Sequence, residues 1–223
     1  MKVGAAEQLA RIVVGSAQLE GNLNLPEDAT GVVLFAHGSG SSRHSPRNRY
    51  VAQELREGGL GTLLIDLLTA AEEREDTRTA RLRFDIGLLA GRVVGASDWL
   101  AGNPATAHLP IGYFGASTGA AAALAAAAER PDHARAVVSR GGRPDLAIPV
   151  LNRVKAPTLL IVGGEDVPVI EMNREALKHL KVEKRLEIIP GATHLFEEPG
   201  TLDEVARLAR EWFQEHLNPY TRR

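Results

Sequence analysis

The stretch Tyr113-Phe114-Gly115-Ala116-Ser117-Thr118-Gly119-Ala120 reads Gly-x-Ser-x-Gly, the pattern that presents a serine as a nucleophile on a sharp strand-to-helix turn. Its flanks supply that setting. Ile111-Gly112-Tyr113-Phe114 is short and apolar enough for a buried strand, and the run Ala120 to Ala128 has strong helix propensity. Side chains two residues either side of the serine would collide with the neighbouring strand and helix, so Gly115 and Gly119 carry none. The backbone at the tip is strained. The turn lifts the Ser117 hydroxyl above the sheet edge and aims the unpaired N–H groups of the next helix at the same spot. A glycine-rich turn with an incidental serine has the same letters, so the partners decide.

A serine hydroxyl needs a base to take its proton. Of the seven histidines, His194 lies in Pro190-Gly191-Ala192-Thr193-His194-Leu195-Phe196, straight after the last expected strand and at the carboxyl edge where Ser117 sits. His108 precedes a strand and falls at the wrong edge. His133, His179 and His216 fall at helix ends, where a solvated histidine is ordinary. His37 ends the third strand, and His44 in the following loop is the rival base. The base needs a carboxylate to hold its tautomer. Gly163-Gly164-Glu165-Asp166 follows another strand at the same edge. Asp166 is preferred over Glu165 because the order Ser, Asp, His suits this arrangement; Asp66 also ends a strand but lies before the elbow. The oxyanion of a tetrahedral intermediate needs two fixed donors. One is the N–H of Thr118, and the other comes from His37-Gly38-Ser39-Gly40-Ser41, with Ser39 favoured and Gly38 the alternative. That loop lacks the residues of a phosphate-cradling motif.

The elements that must carry these residues alternate. Residues 11–25 read as an opening antiparallel hairpin, and Gly31 to Ala36 as a strand buried on both faces. After a polar loop, Ser39 to Asn48, comes a helix from Arg49 to Glu57. Thr62 to Asp66 is the next strand, and the charged stretch Ala70 to Thr79 is a surface excursion. Leu82, Ile86, Leu89, Val93, Ala96 and Leu100 recur at helical spacing and predict one long helix. Strands Ala134–Ser139, Thr158–Val162 and Arg185–Ile189 follow, with a helix at 169–180. Thr201-Leu202-Asp203-Glu204 predicts a capping box opening the last helix. Such alternation implies a largely parallel sheet with helices on both faces, and ligands at the carboxyl ends of the strands.

The chain of 223 residues suits a single domain. A net charge of −2 gives no reason to expect nucleic acid or an anionic membrane as partner. The absence of cysteine excludes disulfides and thiolate chemistry and fits a cytoplasmic setting. Met1 to Gln8 is broken by charge before any signal-peptide core forms, and the longest small or apolar run, 119–128, is too short for a bilayer. No metal or other cofactor is expected.

Taken together, His37-Gly38-Ser39-Gly40, Gly115-Ala116-Ser117-Thr118-Gly119, Gly163-Gly164-Glu165-Asp166 and Gly191-Ala192-Thr193-His194 resemble the α/β-hydrolase superfamily, and within it the small dienelactone-hydrolase-like proteins. The resemblance spans nearly the whole chain. It implies an eight-stranded sheet and hydrolysis of an ester, thioester or lactone through an acyl-enzyme. Serine stands where true dienelactone hydrolases have cysteine, which sets the dienelactone substrate itself apart. Only Arg140 to Ala156 separate two strands where many members insert a lid, so an open site and small substrates are expected. Arg43, Arg47, Arg140 and Arg143 are placed in the two loops rimming Ser117 and are candidates for binding a substrate carboxylate or phosphate. A catalytically idle binding protein and an acyltransferase are the alternative functions.

Overall fold

The computed structural model describes residues 7–218; the opening residues 1–6, part of the stretch read against a signal peptide, lie outside them. Eight strands, β1 (Gln8–Val14), β2 (Ala17–Asn24), β3 (Val32–Ala36), β4 (Gly61–Ile65), β5 (Ile111–Ala116), β6 (Ala134–Arg140), β7 (Thr158–Gly163) and β8 (Lys184–Ile189), form one sheet. Its order is β1-β2-β4-β3-β5-β6-β7-β8. β2 pairs antiparallel with both β1 and β4, and every later pairing is parallel. Seven helices accompany it: α1 (Pro46–Glu57), α2 (Ala70–Thr79), α3 (Ile86–Gly102), α4 (Thr118–Glu129), α5 (Ile148–Leu151), α6 (Val167–His179) and α7 (Thr201–Leu217).

The central strands are apolar throughout because both faces are covered. Along β3, Val32, Leu34 and Ala36 join the core shared with α3 and α4, while Val33 and Phe35 join the core shared with α1 and α7. That alternation is the period-two geometry of a strand. α4 is alanine-rich and buried from Thr118 through Leu124. A helix apolar on all sides belongs in the interior, and its methyl side chains let it lie close to the sheet it leaves. α7 is amphipathic, burying Val205, Leu208, Ala209, Trp212, Phe213 and Leu217.

Several local expectations are corrected. α1 starts at Pro46, not Arg49, because the Ser45 side chain caps it through the Asn48 N–H and Pro46 takes the first position. Arg47 and Asn48 therefore belong to a helix, not a loop. The stretch Ala70–Thr79, read as an excursion, is a helix held by its ends. Thr69 and Glu72 form a reciprocal capping box, at 3.3 Å and 2.8 Å. Only Asp76 of that helix is buried, so there was no apolar stripe to read. The capping box expected at Thr201 does not form. Gly200 is the N-cap, and Thr201, one position inside, donates its hydroxyl to the Glu198 carbonyl at 2.7 Å. The long helix from Leu82 is interrupted: residues Leu82–Phe84 make a short 3-10 turn, and Asp85 caps α3 through the Leu88 N–H at 2.9 Å.

Between β6 and β7 lie only a 3-10 turn, Pro144–Ala147, and the four-residue α5. No lid domain is built there. No described helix is long and apolar enough to cross a membrane.

Candidate active site

β5 ends at Ala116 and α4 begins at Thr118, which leaves Ser117 alone at the turn with φ 51° and ψ −122°. Positive φ in a residue with a Cβ costs about 1–3 kcal/mol and survives only where surroundings enforce it. Here they do. The Ser117 N–H donates to the Arg140 carbonyl at 3.2 Å, and the Ser117 carbonyl accepts from Ala120 at 3.1 Å and Arg143 at 3.0 Å. The glycines answer to the steric argument. A Cβ at Gly119 would stand 2.3 Å from the Ala36 carbonyl oxygen, and one at Gly115 would stand 2.4 Å from the Ala120 Cα.

At the same carboxyl edge, His194 and Asp166 meet, Nδ1 to Oδ2, at 2.6 Å. Asp166 follows β7 and is largely buried, while His194, in the loop after β8, is 39% exposed at its side chain. Glu165 is exposed, and its N–H is used to hold the Ala192 carbonyl at 3.0 Å. Of the two adjacent acids, the chain turns Asp166 to the histidine. With Nδ1 committed to Asp166, Nε2 is the nitrogen left to accept a proton. The turn at Gly141 lies close to the His194 loop: a Cβ there would stand 3.1 Å from the His194 carbonyl oxygen and 3.6 Å from its Cε1. Asn173 of α6 pins the same turn by donating to the Gly142 carbonyl at 3.0 Å. Among the described residues the Ser117 hydroxyl has no hydrogen-bond partner, His194 included. The rival His44 is exposed, and no described carboxylate holds its ring.

The loop after β3 reaches Ser117 from the other side. A Cβ at Gly38 would be 3.0 Å from Ser117 Cβ. The hydroxyls of Ser39 and Thr118 are 3.0 Å apart, which brings the two expected oxyanion residues together. Thr118 opens α4, so its N–H has no acceptor within the helix. His37, given no task by the sequence, fixes this loop. Its Nε2 accepts from the Leu67 N–H at 3.0 Å, and its Nδ1–H donates to the Gly38 carbonyl at 2.9 Å. Burial lowers the His37 pKa, which suits a neutral ring with one nitrogen accepting. Neither His37 nor Asn173 carries a local sequence signal for these roles.

The four arginines separate. Arg43 is fully engaged: it pairs with Asp66, with Glu20 at 2.6 Å and with Asn22 at 2.8 Å. It ties the loop to β2 and β4 and occupies Asp66, so it is not a free anion binder. Arg143 is likewise taken by Asp145, at 2.9 Å and 2.8 Å. Arg47 pairs with the exposed Glu197 at 3.0 Å. Arg140 is buried and makes no ion pair among the described residues; its side-chain bond is to Asn48 Oδ1 at 3.4 Å.

A parallel-centred eight-stranded sheet, helices on both faces and a serine at a strained βα turn define an α/β hydrolase. The Dienelactone hydrolase family profile matches residues 19–219. The chain belongs to that family. A dienelactone hydrolase from Anabaena variabilis is 65% identical, with 96% of this chain and all of that chain covered and a TM-score of 0.95. XC6422 from Xanthomonas campestris, described as a serine hydrolase without lid, shares the fold at 20% identity, 97% coverage of both chains and a TM-score of 0.74. Two Mycobacterium tuberculosis strains carry a protein named "Putative phosphoribosyl transferase" that is 56% identical over 211 residues, 95% of this chain. The chain spans about half the length of those curated relatives, 47%.

Proposed function

We propose that this hydrolase is a serine esterase that cleaves small carboxylic esters, lactones or thioesters through an acyl-enzyme. The observation that carries the reading is the 2.6 Å Asp166–His194 bond formed at the sheet edge where Ser117 is held at φ 51°. Ser117 attacks the carbonyl as His194 takes its proton. The N–H groups of Thr118 and of Ser39 or Gly38 receive the oxyanion. His194 then protonates the leaving alcohol, and water, activated by the same imidazole, releases the acid. Asp166 keeps the imidazole oriented and stabilises its charged form.

The short β6–β7 connection supports a preference for short acyl groups, since no lid supplies an apolar wall for a long chain. Across p-nitrophenyl esters, kcat/KM is expected to fall by about tenfold from butyrate to octanoate, the scale on which missing apolar contacts discriminate. A profile rising toward long chains would contradict the reading. The name of the Mycobacterium relatives describes proteins about twice as long. The Ser117 site supports acyl transfer, and competition between water and added acceptor alcohols separates hydrolysis from an acyltransferase. The lack of cysteine and of a membrane-spanning helix among the described residues supports a cytoplasmic protein.

A further inference from the structure

A cavity of about 740 Å³ lies beside the loop after β3, walled by that loop, the start of α1, the segment after β4 and the first turn of α2. Ser39 lines it, and the Ser39 hydroxyl is 3.0 Å from that of Thr118, the residue after Ser117. The wall is rich in neutral hydrogen-bonding groups. Ser39, Ser41, Ser42 and Thr69 bring hydroxyls to it, and His44 an exposed ring.

The charged groups on this wall are engaged, with one exception. Arg43 holds Asp66 and Glu20, and Arg47 holds Glu197 at 3.0 Å. The His37 ring has both nitrogens bonded. Glu73 of α2 is half-buried and bonds through its backbone: its N–H donates to the Thr69 carbonyl, and its carbonyl accepts from the Thr77 hydroxyl, each at 2.8 Å. Its carboxylate has no partner among the described residues. The residue before it, Glu72, is used twice, on the Thr69 N–H at 2.8 Å and on Arg92 at 2.6 Å. Glu73 also borders the narrow cleft lined by Gly38, Ser39 and Thr118. A carboxylate with room for several donors therefore stands close to where an acyl group is held.

Topology decides which half of a substrate faces the cavity. In the order β4-β3-β5-β6-β7-β8, the cavity is on the β3–β4 side of Ser117 and His194 is on the β8 side. The leaving oxygen lies at the imidazole that protonates it, so the acyl chain points the other way. We propose that this cavity holds the acyl part of the substrate and that this part is polyhydroxylated and uncharged: the bond cleaved is the ester or lactone bond of a sugar-acid-like hydroxy acid, with Glu73 accepting hydrogen bonds from its hydroxyls. The proposal rests on the esterase reading of the same site. In a lactone of this class, Ser117 displaces the ring oxygen from the carbonyl carbon, and that oxygen takes the proton from His194. One water then releases the open hydroxy acid. An acyl group without hydroxyls leaves Glu73 to water.

Two measurements test this. Galactono-γ-lactone and γ-butyrolactone share a ring and differ in hydroxyls. Wild-type kcat/KM is expected to be about tenfold or more higher for the hydroxylated lactone, because a site that hydrogen-bonds a substrate hydroxyl rejects the analogue lacking it. Glu73→Ala is expected to lower that value at least tenfold more than it lowers the value for γ-butyrolactone. Equal rates on the two lactones, or equal losses in the variant, would overturn the assignment of the cavity and leave the esterase reading standing. The second measurement needs no turnover. Saturating galactono-γ-lactone is expected to raise the Tm of Ser117→Ala by about 5 °C through binding to the folded state, and the rise should vanish when Glu73→Ala is added. No rise would overturn the proposal. So would an equal rise in the double variant, which is the general exclusion of sugars from protein surfaces. A rise that depends on Glu73, in a wild-type protein that opens neither lactone, would keep the ligand of the cavity and remove the esterase reading. Glu73→Ala itself is expected to melt close to wild type, since the carboxylate holds nothing in the fold.

Discussion

Ser117→Ala is expected to lower kcat on p-nitrophenyl acetate by about 10⁴-fold or more, the scale at which losing one member of a nucleophile–base unit equals losing all of it. The substitution removes the hydroxyl and little else. Alanine keeps the Cβ, so the φ of 51° stays as costly as before, and the three backbone bonds that fasten the turn do not involve the side chain. The Ser117 hydroxyl makes no hydrogen bond with the described residues, so none is broken. Stability should therefore hold while activity goes. Steady-state rates beside a thermal melt would check this, and residual activity above about one per cent of wild type would point to another nucleophile.

Asp166→Asn is expected to cost about 10⁴-fold in kcat while leaving the site's shape intact. The 2.6 Å contact runs from Asp166 Oδ2 to His194 Nδ1. A carboxylate there accepts the Nδ1 proton, keeps Nε2 free to accept from serine, and stabilises the imidazolium that results. An amide can donate to Nδ1 instead. That favours the tautomer with its proton on Nε2, which cannot serve as base. Glu165 does not substitute, because its side chain is exposed and its N–H is bound to Ala192. The loss should shrink at high pH, where hydroxide competes as base. Rate–pH profiles of both proteins would show it. A loss under about tenfold would mean that Asp166 is an ordinary acid at the start of α6.

Much of this arrangement was legible because each candidate sits just past a strand. Apolar runs ending in Gly38-Ser39, Gly115-Ala116-Ser117 and Gly163-Gly164-Glu165-Asp166 mark the carboxyl edge of a parallel sheet, and His194 follows the next and last strand, β8. Punctuation alone brings them to one rim. The misses share a different cause. α2 was invisible because its capping box and not an apolar face holds it. Thr201 fits the capping pattern as well as Thr69 does, but Gly200 adopts φ 80° and takes the cap. The fates of the arginines depend on partners far away in the chain. Glu20 and Asp66 come to Arg43 only after β2 and β4 pair, and nothing near Arg140 in sequence shows that no acid reaches it. His37 and Asn173 are positioned by tertiary contacts alone, to Leu67 and Gly142.

The claim beneath all of this is that the Ser117 hydroxyl is activated by its neighbours. Treating the wild-type chain with a fluorophosphonate at neutral pH and weighing it whole measures that activation. The account predicts a single adduct, mapped to the peptide containing Ser117 and absent from Ser117→Ala. An unmodified protein, or an adduct on any other residue, would contradict it.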